Sequence, residues 1–405
     1  MKKYNPEEAI VEVRREFGEH GGVTPSIERS STFTVLDPAV MTQIFQGEKS
    51  PEEGDYFLYS RNFNPTVNVL CRYLAAMEGS ESAIATASGI SAIACALLQL
   101  CRQGDHIIAS HQIYGGTHAL LEKIFPAMGI RVTFVHPTDL SSIKAAITPQ
   151  TKVIYTETMG NPILTIANIP ALAEIAHQHQ IQLVVDNTFT PLLVSPLILG
   201  ADIVVHSMTK FINGASDIVA GAICASKDFI YQLMDLHQGR LMLLGPTIDP
   251  RVAFDVIQRL PHLGLRMREH GVRAMAIAER LQTLGVKVRY PGLPSHPEHT
   301  VLKSMLNEGY GFGGMLTIDC ETRAKAEKLL SILQNEERFG LIAVSLGYFD
   351  TLMSCSGSST SSEISNEEQN QMGLSPGLIR LAIGYTGSLE VRLDQITRAV
   401  KKVFT

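Results

Sequence analysis

The sequence predicts an α/β fold. A large, mostly parallel sheet flanked by helices is followed by a smaller α+β part at the C-terminus. Three observations predict it. From about residue 65 onward, helical patterns alternate with short apolar runs, the signature of strands joined by helices in a parallel sheet. A long amphipathic pattern, His262 through Leu284, then separates two differently patterned regions. The chain has 405 residues, more than one simple core accommodates. The expected division is 1–62, an arm contacting a neighbouring subunit, 63–262, a large domain, and 263–405, a C-terminal domain.

The elements follow in order. Residues 1 to about 62 are polar and irregular, with turn formers at Gly21-Gly22, Pro25, Pro51 and Gly54, and little apolar periodicity. This segment is expected to cover something else, either the rest of the subunit or a neighbour. Helical signals then run over Val67–Met77, Ser91–Leu100, Thr117–Phe125 and Ala171–His179. Between them lie apolar strands at Ser82–Thr86, His106–Ala109, Arg131–Val135, Lys152–Thr156, Leu183–Val185, Ile203–Val205 and Gly221–Ala225. After the long helix come strands at Met315–Asp319, Ile342–Ser345 and Leu378–Ile383, mixed with helices at Arg323–Gln334 and Glu390–Val403. The Ser- and Glu-rich stretch Ser354–Gly373 has no periodicity and reads as a surface loop or a lid over a site.

Composition narrows the function classes. Apolar residues make up 45% and charged residues 18%, the profile of a globular enzyme rather than a disordered chain. A formal net charge of −6 gives no electrostatic reason to bind nucleic acid or an anionic membrane. No apolar run is long enough to span a bilayer, and Met1–Glu8 carries no apolar signal segment, so a cytoplasmic location is expected. The six cysteines form no CxxC pair and read as buried free thiols. His177 and His179 lie two apart on a helix and face different ways, so no metal site is expected.

Chemistry concentrates at two strand tips. Leu183-Val184-Val185 delivers Asp186, and Ile203-Val204-Val205 delivers Ser207, Thr209 and Lys210. Ligands of open α/β sheets sit at the carboxyl ends of strands. An amine, an acid and two hydroxyls together suit pyridoxal 5'-phosphate (PLP). That cofactor takes a lysine for covalent attachment, an acid for its pyridine nitrogen and small donors for its phosphate. Ser88-Gly89-Ile90 opens a helix after a strand, where free N–H groups can hold a phosphate. Tyr114 precedes another helix, so its ring could stack on a flat cofactor and its hydroxyl could move a proton. Arg380 is a charge inside an apolar strand, suited to a substrate carboxylate or to a structural ion pair. Asp186 as a turn cap and Lys210 as a surface lysine are the competing readings at those positions.

These residues belong to a wider pattern. It includes Tyr59-Ser60-Arg61, Asn64-Pro65-Thr66, Ala87-Ser88-Gly89 and Tyr114-Gly115-Gly116-Thr117. It continues through Glu157, Asn161-Pro162, Asp186-Asn187-Thr188-Phe189, Gly200 to Gly214, Val344-Ser345-Leu346-Gly347 and Gly377 to Gly384. From about residue 18 to the C-terminus the chain resembles the Cys/Met-metabolism family of PLP enzymes, the trans-sulfuration group. The resemblance implies an aspartate-aminotransferase-like fold (fold type I) and a homotetramer built as a dimer of dimers. It implies cofactor contacts from Ser88, Gly89, Ile90, Tyr114, Glu157, Asn161, Asp186, Ser207, Thr209 and Lys210, with Tyr59 and Arg61 reaching a partner's phosphate. Asn161, Ser345 and Arg380 would bind substrate, and Lys210, Tyr114 and Asp186 would carry the catalysis. The implied activity is carbon–sulfur elimination from a sulfur amino acid, giving a thiol, ammonia and a 2-oxo acid. A γ-replacement transferase and a non-enzymatic protein on the same fold are the alternatives. Val344 stands where members acting on cystathionine carry glutamate, and Gly116 stands where methionine γ-lyases carry cysteine.

Overall fold

The computed structural model describes residues 4–15, 17–51, 54, 56–356 and 375–404. Seven strands form the larger sheet: β1 (Ser82–Thr86), β2 (His106–Ser110), β3 (Arg131–Val135), β4 (Thr151–Glu157), β5 (Gln182–Asp186), β6 (Ile203–Ser207) and β7 (Gly221–Ala225). Their order is β1-β7-β6-β5-β4-β2-β3. The five strands from β6 to β3 are parallel, and β7 pairs antiparallel with both β1 and β6. The central strands are apolar on both faces because helices pack on them. Val184, Val185, Ile203, Val204 and Val205 are fully buried. Five further strands make a second sheet: β8 (Lys287–Arg289), β9 (Met315–Asp319), β10 (Leu341–Ile342), β11 (Leu352–Cys355) and β12 (Leu378–Ala382), in the order β10-β11-β12-β9-β8. The fold is thus α/β with a mostly parallel central sheet, as the alternation predicts.

The helix Leu263–Thr283 runs through both cores. Its Leu263 and Met267 pack in the larger one, and Ala274, Ile277, Ala278 and Leu281 in the smaller, at the three- and four-residue spacing of one helix face. It also grips the chain at two places. Arg266 donates to the carbonyls of Phe211 and Ile212, the residues that follow Lys210. Two turns along, Arg273 donates to the carbonyls of Thr386 and Gly387, just beyond β12.

Four expectations change. The N-terminal segment is not wholly irregular: it contains helices Pro6–Val13 and Pro38–Phe45, capped by Asn5 and Asp37 with proline in the first turn. The first packs on the helix Pro65–Glu78 of its own subunit and buries Ile10. Its Glu7 accepts from Arg268 and Tyr310 at 2.7 Å each. The strand expected at Ile342–Ser345 is only Leu341–Ile342, because the chain turns away before Ser345, whose φ is 95°. The helix expected over Thr117–Phe125 is instead Gly115–Ala119, a π-turn at Leu120–Ile124 and Phe125–Ala127, one wider turn within a continuous spiral. Within the Ser-rich stretch, Ser354 and Cys355 belong to β11, and 357–373 lie outside the described residues. All six cysteines are buried, and none of them forms a disulfide. Among the described residues, no cluster of His, Cys, Asp and Glu could hold a metal, and no helix is long and apolar enough to cross a membrane.

Candidate functional site

Parallel strands point their C-terminal ends the same way, so whatever follows β4, β5 and β6 converges. Glu157 ends β4, Asp186 ends β5 directly opposite it, and Ser207 ends β6. They open into a cavity of about 410 Å³. Ser88, Gly89, Ile90, Tyr114, Asn161, Thr209, Lys210, Ser345 and Arg380 line the same cavity. The structure therefore gathers every predicted site residue except Tyr59 and Arg61.

One end could hold an anion. The Ser88 hydroxyl accepts the Ser91 N–H at 3.1 Å and caps the helix Gly89–Leu100. The N–H groups of Gly89 and Ile90, in the first turn, have no partner within the helix. A Cβ on Gly89 would lie 2.6 Å from that of Ser207, so only glycine lets the helix start approach the β6 tip this closely. Thr188 ties this end together: its hydroxyl accepts the Ser207 N–H at 2.8 Å, and its own N–H donates to Asp186 Oδ1 at 2.9 Å. Asp186 thus closes a turn as well as lining the cavity, so the capping role weighed from sequence is also present.

At the other end, a lysine and an arginine meet through one residue. Lys210 Nζ donates to the Ser345 hydroxyl at 2.8 Å, and Arg380 Nη2 donates to the Ser345 carbonyl at 3.0 Å. Arg380 Nη1 donates to Asn161 Oδ1 at 3.0 Å. Ser345 does both from a left-handed conformation that costs a non-glycine residue about 1–3 kcal/mol, a strain concentrated where sites are built. Arg380 is only 4% exposed, and its described hydrogen-bond partners are neutral. A buried cation held by neutral acceptors favours an incoming carboxylate over the structural ion pair considered from sequence.

The electrostatics are those of a shielded polar pocket. Burial pushes the Lys210 ammonium down to about 8, with the positive charge of Arg380 adding to the shift. Burial likewise pushes Arg380 down to about 10, while Glu157 opposes the change. Burial holds Glu157 well above the usual carboxylate range, and the adjacent Asp186 raises it further. Asp186 is raised by burial too, against the bonds from Thr188. A cationic ring nitrogen beside Asp186 would favour its ionised form. The donor set therefore fits PLP: an amine of depressed basicity, an acid, an anion cradle, and the Tyr114 ring, 52% exposed at the cavity wall.

Tyr59 and Arg61 lie elsewhere. Arg61 stacks on the Tyr59 ring at 5.5 Å and lines a separate groove with Asn62, Phe63 and Lys227. Sequence reasoning missed Ile93, Met159 and Val219 as cavity walls. Ile93 sits one helical turn beyond Gly89, which is a readable signal. Met159 and Val219 sit in irregular segments and carry none.

Comparison with known proteins gives a consistent picture. The sequence profile of the Cys/Met metabolism PLP-dependent enzymes matches residues 8–396. The methionine gamma-lyase of Arabidopsis thaliana is 52% identical over 397 residues, covering 98% of this chain and 90% of that protein. The cystathionine beta-lyase of Lactococcus lactis subsp. cremoris is 36% identical over 389 residues, covering 95% and 97%. A solved structure of a putative O-acetylhomoserine (thiol)-lyase from Campylobacter jejuni subsp. jejuni, containing N'-pyridoxyl-lysine-5'-monophosphate, matches with a TM-score of 0.89. It is 27% identical and covers 98% of this chain and 100% of that one.

Proposed function

The chain belongs to the Cys/Met metabolism family of PLP-dependent enzymes, and on that premise we propose that it is a carbon–sulfur lyase acting on methionine. With water consumed, the products are methanethiol, ammonia and 2-oxobutanoate. The observation that carries this reading is the two-ended cavity. A buried guanidinium suited to an amino-acid carboxylate lines a cavity that also carries apolar side chains: Ile93, Met159, Phe189, Val219, Val344 and Leu346. An uncharged thioether suits such walls, whereas a substrate with a charged distal end would need a polar partner there. The 52% identity to a methionine gamma-lyase supports the same choice.

Bound PLP supplies an aldehyde that takes the substrate amine and a ring that accepts the electron pair left when the α-proton departs. The chain's residues do the rest. Arg380 and Asn161 hold the carboxylate. The Lys210 amine, largely neutral above pH 8, removes the α-proton, and Ser345 aims it. With PLP bound, Asp186 would partner the ring nitrogen, Ser88, Gly89, Ile90, Ser207 and Thr209 would hold the phosphate, and Tyr114 would stack on the ring and protonate the departing sulfur. We assign the cytoplasm as its location and a homotetramer as its assembly.

The second reading is γ-replacement, in which a thiol joins an activated homoserine; the likeness to the putative thiol-lyase favours it. Product analysis separates the two. Methionine alone should release methanethiol and 2-oxo acid in equal amounts with no acceptor present. Product formation that needs both O-acylhomoserine and a thiol would establish the transferase instead.

Tyr59 and Arg61, outside their own subunit's cavity, are assigned to the partner's phosphate. Arg61→Ala should weaken PLP binding about tenfold or more, the loss expected of a charge-assisted phosphate contact. Mixing Arg61→Ala with Lys210→Ala should regenerate activity in hybrid dimers, since each hybrid holds one intact site. Hybrids no more active than the parents would place the arm in its own subunit's chemistry.

A further inference from the structure

One buried carboxylate in the cavity has no part in the chemistry above. Glu157 is 6% exposed and ends β4, directly opposite Asp186 on β5. Two like charges side by side are unfavourable, and a strand end elsewhere in the sheet would avoid the conflict. What Glu157 does touch is the backbone: its Oε1 accepts the Tyr114 N–H at 2.7 Å, across 43 residues of sequence. Tyr114 is the residue before the helix Gly115–Ala119, and no side chain of its own segment caps that helix. Glu157 therefore serves as a cap supplied from another strand. The Tyr114 ring folds back over the same turn, since a Cβ on Gly116 would lie 2.5 Å from its Cε1. Glycine leaves room for the ring and offers nothing to hold it. The Tyr114 carbonyl is held by the N–H groups of Thr117 and His118 at 2.9 Å each, and its own N–H is held by Glu157.

We propose that Glu157 is a positioning residue for Tyr114: by capping the Tyr114 N–H from the tip of β4, it fixes the aromatic ring at the height at which it stacks on the PLP ring. Glu157 acts as an acceptor, not as a charge, and contributes to cofactor seating through Tyr114. The neutral form suffices for this work, which agrees with the burial and the neighbouring Asp186 that both disfavour ionisation. The inference rests on the PLP reading of the site.

The test compares Glu157→Ala and Glu157→Gln with the parent holoenzyme. The readouts are the affinity for PLP and the visible circular dichroism that bound PLP acquires from a fixed asymmetric wall. Glu157→Ala should weaken PLP binding about tenfold, the loss of one buried hydrogen bond, and flatten the visible dichroism while the far-ultraviolet spectrum is kept. Glu157→Gln keeps an amide oxygen in the same place and should restore most of the band. Tyr114→Ala should flatten the band as Glu157→Ala does, and the double variant should lose little more. Glu157→Ala with parental dichroism overturns the proposal. So does Glu157→Gln behaving like alanine, which would make the charge the working feature. If Glu157→Ala fails to fold, the glutamine variant still decides. A parent protein that takes up no PLP at all would instead refute the reading of the site itself.

Discussion

Lys210→Ala should leave PLP held only by non-covalent contacts and should slow turnover by on the order of 10⁴-fold, the upper range for loss of a positioned general base. The lysine is fixed by the Ser345 hydroxyl at 2.8 Å, and the other lysines are absent from the cavity lining, so no substitute amine stands ready. Borohydride treatment of the parent should attach the label to the peptide containing Lys210, and the variant should remain unlabelled. Label on another lysine would sink the assignment. The pH dependence follows from the direction of the shift. A lysine pushed down to about 8 is protonated below that value and neutral above it. Attachment of PLP to cofactor-stripped protein requires the neutral amine, so its rate should rise with pH and level off above about 8. At pH 7 roughly a tenth of the amine is neutral, far more than for an ordinary lysine near 10.4.

Arg380→Ala carries the second large effect. It removes a buried cation with a planar two-pronged donor face, and no other described cation except Lys210 lines the cavity. The loss should be about 2–5 kcal/mol in transition-state binding, roughly 30- to 5000-fold in kcat/KM. PLP should stay bound, because the anion cradle lies at the far end and the Lys210 amine is held by the Ser345 hydroxyl rather than by Arg380. Arg380→Lys should recover only part, since an ammonium cannot engage Asn161, the Ser345 carbonyl and a carboxylate in one plane. Steady-state kinetics with methionine decide it. Near-normal kcat/KM in Arg380→Ala would mean that the carboxylate is held elsewhere.

Much of this fold was legible in the sequence because it is written in local signals. Runs such as Leu183-Val184-Val185 and Ile203-Val204-Val205 are buried on both faces and read directly as central parallel strands. The polar residues that end them read as a site, because strand direction alone brings them together. The helices Pro6–Val13 and Pro38–Phe45 were missed although their caps, Asn5-Pro6 and Asp37-Pro38, were visible. Their shortness hid them, at eight residues each, and Pro38–Phe45 buries none of its own residues. Ser345 shows the opposite limit. Its φ of 95° goes with contacts to Lys210 and Arg380, 135 and 35 residues away, and nothing in Val344-Ser345-Leu346-Gly347 signals it. The Glu157 bond to Tyr114 is illegible for the same reason: it exists only once β4 and the Tyr114 turn are neighbours.

The long helix that grips the chain beyond Lys210 and again beyond β12 has a metrical consequence. Its two arginines stand seven residues apart, and seven residues of α-helix measure about 10 Å. A regular helix is stiff along its axis, so that interval works as a gauge block between the segment that follows Lys210 and the segment that follows β12. Loops around the cavity can vary in length without altering the calibration. One residue inserted between Arg266 and Arg273 would change it at once, by about 1.5 Å along the axis and 100° around it.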